Sequence, residues 1–217
     1  MRSLARPRAR PRSTSTAATA RASFALDAHF IARDRIDRRV IDGDAFYVDR
    51  ALAPGECAAI VEAVERAEGF TLARSRGSAF GEAERKHGRY QCRDDAFANA
   101  LWKRCERFFD FDVDEARGLN ENIRVYRYQP GEKFGAHVDE KVRANGNVSK
   151  YTAIFYLNDV EDGGRTIFYD ERGAMRSAVE PKTGRALFFR HGIDCCEHEG
   201  EEVRKGVKYV LRSDVMF

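Results

Sequence analysis

Gly131-Glu132-Lys133-Phe134-Gly135-Ala136-His137-Val138-Asp139 follows a strand-like run over residues 124–129 and closes on a His-x-Asp pair. In extended backbone, residues i and i+2 project to the same side, so an imidazole nitrogen and a carboxylate oxygen at this spacing can converge on one ion. Alone, the pair is weak evidence in a chain with five His and 35 acidic residues. A metal needs a further ligand, and His198 offers one from far along the chain, where Lys208 follows it by ten residues inside a strand-like run over 207–217. Two imidazoles and one carboxylate on a single face, with open positions opposite, suit non-haem Fe(II).

The last strand carries an internal test. Lys208, Val210, Arg212, Asp214 and Met216 fall on one face, and Tyr209, Leu211, Ser213 and Val215 on the other. If the first face points into a barrel, two cations and an acid face inward, which is costly unless they are paired or hydrated. A dicarboxylate ligand would supply the missing anion; the plain alternative is a solvent-exposed face. Lys208 and Arg212, four residues apart, stand roughly 13 Å from each other along a strand and cannot both easily grip one carboxylate.

Around this end the texture is β. Candidate strands cover 123–129, 151–157, 166–169, 175–179, 185–190 and 207–217, separated by Gly, Asn, Asp and Pro turns. Before them, a short strand over 45–48 opens the domain. Pro54 then starts a helix in which Cys57, Ile60, Val61, Val64 and Ala67 follow helical spacing until Gly69. A second helix over 94–108 carries Phe97, Leu101, Cys105 and Phe108 on one stripe. Residues 71–91, rich in Arg, Gly and Ser, read as a long loop. Short strands after an N-terminal helical part suggest a double-sheet jelly roll buttressed by helices.

The order His137-x-Asp139, His198, Lys208 resembles the prolyl 4-hydroxylase-like branch of the Fe(II)/2-oxoglutarate dioxygenases. Tyr156-Leu157-Asn158-Asp159-Val160-Glu161-Asp162-Gly163-Gly164-Arg165-Thr166-Ile167-Phe168 is similar to that family's tyrosine-leucine strand, Gly-Gly turn and Thr. The match runs from about residue 45 to the C-terminus. It implies an α+β, mainly β domain over 45–217, with a double-stranded β-helix (jelly-roll, cupin-like) core and supporting N-terminal helices. It further implies that His137, Asp139 and His198 hold Fe(2+) and form the catalytic centre, and that Lys208 anchors the distal carboxylate of 2-oxoglutarate with help from the hydroxyls of Tyr128 and Thr166. Arg212 takes a secondary part, towards the iron-bound carboxylate, the substrate or Asp214. O2 is the co-substrate and ascorbate a reductant. The activity implied is hydroxylation of a C–H bond, in a protein side chain (prolyl-like) or a small molecule, with release of succinate and CO2. Asp139, being an acid, leaves no ligand position for halide, so hydroxylation is favoured over halogenation.

His191 is a rival for the distal ligand, but His198 precedes the Glu199-Gly200 and Val203-x-x-Gly206-x-Lys208 pattern that the family shares. His191, His29 and His87 are therefore read as surface or structural. Residues 140–150 fall where such proteins carry a substrate-covering loop, and 71–91 would form a facing flap. Paired arginines at the spacing used for nucleic-acid demethylation are absent. Two other classes stand beside this reading: a cupin-like metalloprotein that does not use 2-oxoglutarate, and a non-catalytic jelly-roll binding module.

Composition sets the bounds. With 217 residues, 43% hydrophobic and 15 Phe, the chain can bury one core, and no apolar run approaches the ~18–20 residues of a membrane span. Five Cys without metal-site spacing, Cys195 and Cys196 adjacent, fit a reduced, cytoplasmic protein. The overall charge of +3, less the six Arg of residues 1–23, is −3 for the rest, which suggests no nucleic-acid footprint. The Arg- and Ser/Thr-rich tail over 1–25 is read as a disordered or targeting-like extension, the latter giving organellar import as the alternative location.

Overall fold

The computed structural model describes residues 24–26, 38–42, 45–67, 69–76, 82–109, 115–192 and 195–217. Nearly all of the tail expected over 1–25 lies outside them, as does His29.

Pro54 stands where its missing N–H costs nothing and starts α1 (Pro54–Arg66), and the Ala53 N–H donates to Glu56 Oε2 at 2.7 Å. α2 (Asp95–Cys105) is capped by Asp94, which accepts the Phe97 N–H at 2.9 Å, and it tightens into a 3₁₀ turn over Glu106–Phe108. The helices are joined by Arg104 on Glu56 at 2.6 Å, a pair almost removed from water.

The strands are β1 (Arg38–Asp42), β2 (Ala45–Val48), β3 (Thr71–Arg74), β4 (Arg85–Arg93), β5 (Gly118–Leu119), β6 (Asn122–Tyr128), β7 (Lys133–His137) and β8 (Arg143–Ala144). There follow β9 (Asn147–Tyr156), β10 (Asp162–Gly163), β11 (Thr166–Tyr169), β12 (Met175–Val179), β13 (Ala186–Arg190), β14 (His198–Gly200), β15 (Val203–Lys205) and β16 (Lys208–Met216). One antiparallel path runs β1-β2-β13-β9-β16-β6-β4-β7-β14-β11-β12, with β3 on β4, β5 on β16 and β8 on β9, while β10 and β15 pair separately.

The path bends because β4 is shared: its residues 88–93 pair with β6, while Arg85 and Lys86 pair with Phe134 and Lys133 of β7. The chain therefore folds over on itself, and β7, β14, β11 and β12 cover the inner face of the broader β2-β13-β9-β16-β6-β4 region. The fold is mostly β, a nearly closed jelly roll, as the sequence implies.

Strands of the broad region are buried on both faces, so they read as near-continuous apolar runs rather than alternations. Ile123, Val125, Ala153, Phe155, Leu211 and Val215 join Cys57, Ile60, Val64, Phe97 and Leu101 of the helices in the main core. Alternate residues Tyr126, Tyr128, Tyr156 and Val210 face inward. The alternative that the Lys208–Met216 face is open to water fails, since Lys208 is 3% and Asp214 0% exposed.

One expectation is corrected. The long loop read over 71–91 gives way to β3 paired with β4, with residues 77–81 between them outside the described residues. The stretch 140–150, read as a substrate-covering segment, holds β8 and the start of β9, paired Arg143 to Val148.

Candidate metal centre

β7 and β14 are antiparallel neighbours with His137 directly opposite His198, so the two imidazoles leave adjacent strands on one face, ring centroids 4.4 Å apart. Asp139 lies just past the end of β7, and the backbone N–H of Gly192 donates to its carbonyl at 2.9 Å. The Asp139 Oδ1 is 3.5 Å from His137 Nε2, and its Oδ2 is 3.7 Å from His198 Nε2. One ligand atom from each of the three residues falls within 4.8 Å of the others, as one ion requires.

The ring orientations are fixed by groups on the other side. The His137 Nδ1 faces the carbonyl oxygen of Gly135 at 2.8 Å, and the His198 Nδ1 that of Cys196 at 3.0 Å. A carbonyl only accepts, so each Nδ1 donates and each Nε2 keeps its lone pair, the tautomer a metal takes. His137 Nε2 is buried without a hydrogen-bond partner, the mark expected of a nitrogen kept for an ion. Phe134 stacks on His137 at 3.6 Å and Phe189 meets His198 edge-on at 4.5 Å, which limits ring rotation.

Charge is arranged to match. Burial alone would raise the Asp139 carboxyl, but Arg212, with His137 and His198, overrides it and holds the group well below the usual carboxylate range. Burial pushes the His198 imidazole down to about 4, so it stays neutral and able to ligate at pH 7. Burial pushes the nearby Cys195 thiol up to about 12, so it stays protonated in the metal-free protein.

Behind the triad lies a narrow cavity of about 40 Å³ lined by Tyr126, Tyr128, Ile154, Thr166, Lys208 and Arg212 among others. It opens towards a groove of about 670 Å³ that shares Phe134, His137 and Asp139 with it. Lys208, fully buried, donates to the Gly164 carbonyl at 2.6 Å, and burial pushes its ammonium down to about 7. Thr166 Oγ1 is bonded to the Tyr156 hydroxyl at 2.6 Å.

Sequence reasoning thus names residues that the fold brings together: His137, Asp139 and His198 at one end, Lys208, Tyr128 and Thr166 at the other. Arg212 is placed more sharply, at 2.9 Å from Asp139 Oδ2 and 3.7 Å from Asp214 Oδ1. Tyr156 as partner of Thr166, and Thr152 as a hydrogen-bond donor to Asp139 at 2.6 Å, carry no sequence signal of their own. His87 is structural, its buried ring 4.7 and 4.8 Å from those of Tyr126 and Tyr128.

The geometry can be set beside known proteins. Residues 123–213 match the family model described as the 2OG-Fe(II) oxygenase superfamily. Prolyl 4-hydroxylase 5 of Arabidopsis thaliana is 36% identical over 89 residues, covering 39% of this chain and 29% of its own length. Prolyl 4-hydroxylase 13 of the same plant is 24% identical over 160 residues, covering 66% and 58%. The chain spans between 24% and 58% of the length of the plant relatives it matches. Among solved structures, the viral collagen prolyl hydroxylase of Paramecium Bursaria Chlorella virus-1 superposes with a TM-score of 0.57 at 18% identity, over 82% of this chain and 99% of that one. A Trichoplax adhaerens prolyl hydroxylase, in complex with a hypoxia inducible factor oxygen degradation domain peptide fragment, gives 0.59 at 16%, over 79% and 82%. Residues 123–213, which carry the whole candidate triad, are thus similar to the 2OG-Fe(II) oxygenase superfamily, and the chain resembles prolyl 4-hydroxylases within it.

Proposed function

We propose that the protein is an Fe(II)- and 2-oxoglutarate-dependent hydroxylase acting on a prolyl-like protein side chain or a related small molecule. The observation that carries this is the pairing of two Nε2 lone pairs and one carboxylate with a buried ammonium at the far end of the same cavity. Loaded with 2-oxoglutarate and O2, ferrous iron supplies oxidation of an unactivated C–H bond to an alcohol with release of succinate and CO2. Its place is among His137, Asp139 and His198.

The residues have separable tasks. Lys208 would exchange the Gly164 carbonyl for the distal carboxylate of the keto acid, an anion that would offset the burial now lowering its basicity and keep the ammonium charged. Tyr128 keeps its proton, because burial pushes the phenol up, and so remains a hydroxyl donor beside it. Ile154 and Val210 keep water from the site. Leu72, Ala73, Arg85 and Val138 line the outer groove, where the substrate approaches His137. Ascorbate is the expected reductant.

The test is succinate release in the presence of Fe(II), 2-oxoglutarate and a panel of prolyl peptides and small acids. Lys208→Met removes a charge-assisted hydrogen bond of ~1.5–3 kcal/mol and raises the 2-oxoglutarate requirement roughly tenfold to a hundredfold. A metal protein that makes no use of the keto acid would be indifferent to that change.

A further inference from the structure

Asp139 is held by more than its neighbours in the triad. Thr152 Oγ1 donates to Asp139 Oδ2 at 2.6 Å, and the same oxygen lies 2.5 Å from His191 Nε2. A threonine hydroxyl has one proton, and the carboxylate takes it, so towards His191 the oxygen can only accept and Nε2 carries hydrogen. The His191 Nδ1 is then the acceptor for Ser149 Oγ at 2.7 Å, and Ser149 Oγ in turn accepts the Val142 N–H at 2.8 Å. Arg212 Nη2 also donates to Thr152 Oγ1, at 3.3 Å, which fills its second lone pair and leaves every donor and acceptor in the series determined. It runs from the backbone of the 140–150 hairpin through Ser149, His191 and Thr152 to one oxygen of Asp139.

The three side chains come from two places, Ser149 and Thr152 on β9 and His191 just after β13, and all are buried: Ser149 0%, Thr152 0%, His191 1% exposed. Burying polar groups here costs free energy that apolar residues of the same shape would not. What the series accomplishes is an asymmetry in Asp139. Its Oδ2, 3.7 Å from His198 Nε2, receives Thr152 and Arg212, the latter at 2.9 Å, while Oδ1 faces His137 at 3.5 Å with neither of those donors on it.

We infer that Thr152 and His191 are positioning residues for the metal: they fix the Asp139 carboxylate so that Oδ2 is spent on protein donors and Oδ1 is offered to the ion. This rests on the reading of His137, Asp139 and His198 as ligands. His191 acts as a neutral ring with a fixed tautomer, in line with the lowering of its basicity by burial. The 140–150 hairpin, through the Val142 N–H, is mechanically tied to the ligand.

The test uses Mn(II) as probe, with affinity read by electron paramagnetic resonance on the full chain and no turnover. Thr152→Val weakens Mn(II) binding by about 10–100-fold, the usual cost of losing a partner of a ligating carboxylate, and Thr152→Ser restores it. His191→Gln, whose amide can donate to Thr152 and accept from Ser149, binds Mn(II) near the wild-type level, whereas His191→Phe loses affinity as Thr152→Val does. The glutamine and phenylalanine variants decide the matter even if the valine variant fails to fold. Equal affinity in wild type and folded Thr152→Val, or in both His191 variants, overturns the proposal while leaving the triad intact. Wild-type protein that takes up no Mn(II) overturns the triad, and the proposal with it.

Discussion

Arg212 shows how a single residue acquires meaning only in three dimensions. On the sequence it is a second cation on the inward face of a strand; in the fold it lies between Asp139 and Asp214, 12% exposed at the side chain. Asp214 has a second cation in Arg124 at 2.5 Å, but for Asp139 no other Lys or Arg pairs with it among the described residues. Arg212→Met therefore leaves a buried carboxylate short of its counter-charge, a loss of ~3–5 kcal/mol in metal-free protein. A divalent ion replaces that charge, so Mn(II) raises the melting temperature of the variant by more than that of wild type. Equal shifts would mean that the guanidinium is not felt at the triad. The candidate ligands His137 and Asp139 were legible by the period of a strand, and His198 with Lys208 by a ten-residue separation that gains its meaning from the family resemblance. Thr152 and His191 were not, because threonines and buried histidines have many ordinary uses and only the pairing of β9 with β13 brings these two together.

At the scale of elements, the strands that turn residues bracket were legible whether buried, as β11, or largely exposed, as β12. The strands expected over 166–169 and 175–179 coincide with β11 and β12, and that over 207–217 differs from β16 by a residue at each end. The β3–β4 hairpin was missed for a physical reason. β3 is largely exposed, and β4 (Arg85–Arg93) buries only His87 and Tyr90, three residues apart, with the Arg85 guanidinium 4.0 Å over the Phe134 ring, so no apolar alternation marks it. The helices do no chemistry but hold the outer face of the sheet. Glu56 is the hinge of that support, since it both receives the Ala53 N–H of α1 and pairs with Arg104 of α2. Glu56→Ala removes both of these contacts at once and lowers stability by roughly 1–3 kcal/mol in chemical denaturation, with Mn(II) affinity of the folded fraction unchanged. A parallel loss of metal binding would show that the helices set the triad directly.

For the molecule as a whole, burying neutral imidazoles makes stability depend on pH. Burial lowers the His87 imidazole to about 4, against about 6.5 in the unfolded chain. Between those values the unfolded state binds the extra proton, so the contribution is present above about pH 6.5 and is lost as pH falls towards 4, by up to ~3 kcal/mol for this residue. His87→Phe, which keeps an aromatic ring among Tyr126, Tyr128 and Phe134, flattens the fall in urea midpoint between pH 7 and pH 4.5; an unchanged slope would place the acid sensitivity elsewhere. The jelly roll itself was legible from the run of short strands after two helices, whereas the bend through β4 was not, because it depends on one strand serving two neighbours.

The central claim is that three side chains from β7, its following residues and β14 hold one ferrous ion with a keto acid stretched back to Lys208. Anaerobic addition of Fe(II) and 2-oxoglutarate tests it most directly. The account predicts a weak visible charge-transfer band, absent in His137→Ala and appearing only at higher 2-oxoglutarate in Lys208→Met. A wild-type protein that stays colourless under these conditions, or a band that survives His137→Ala unchanged, would contradict it.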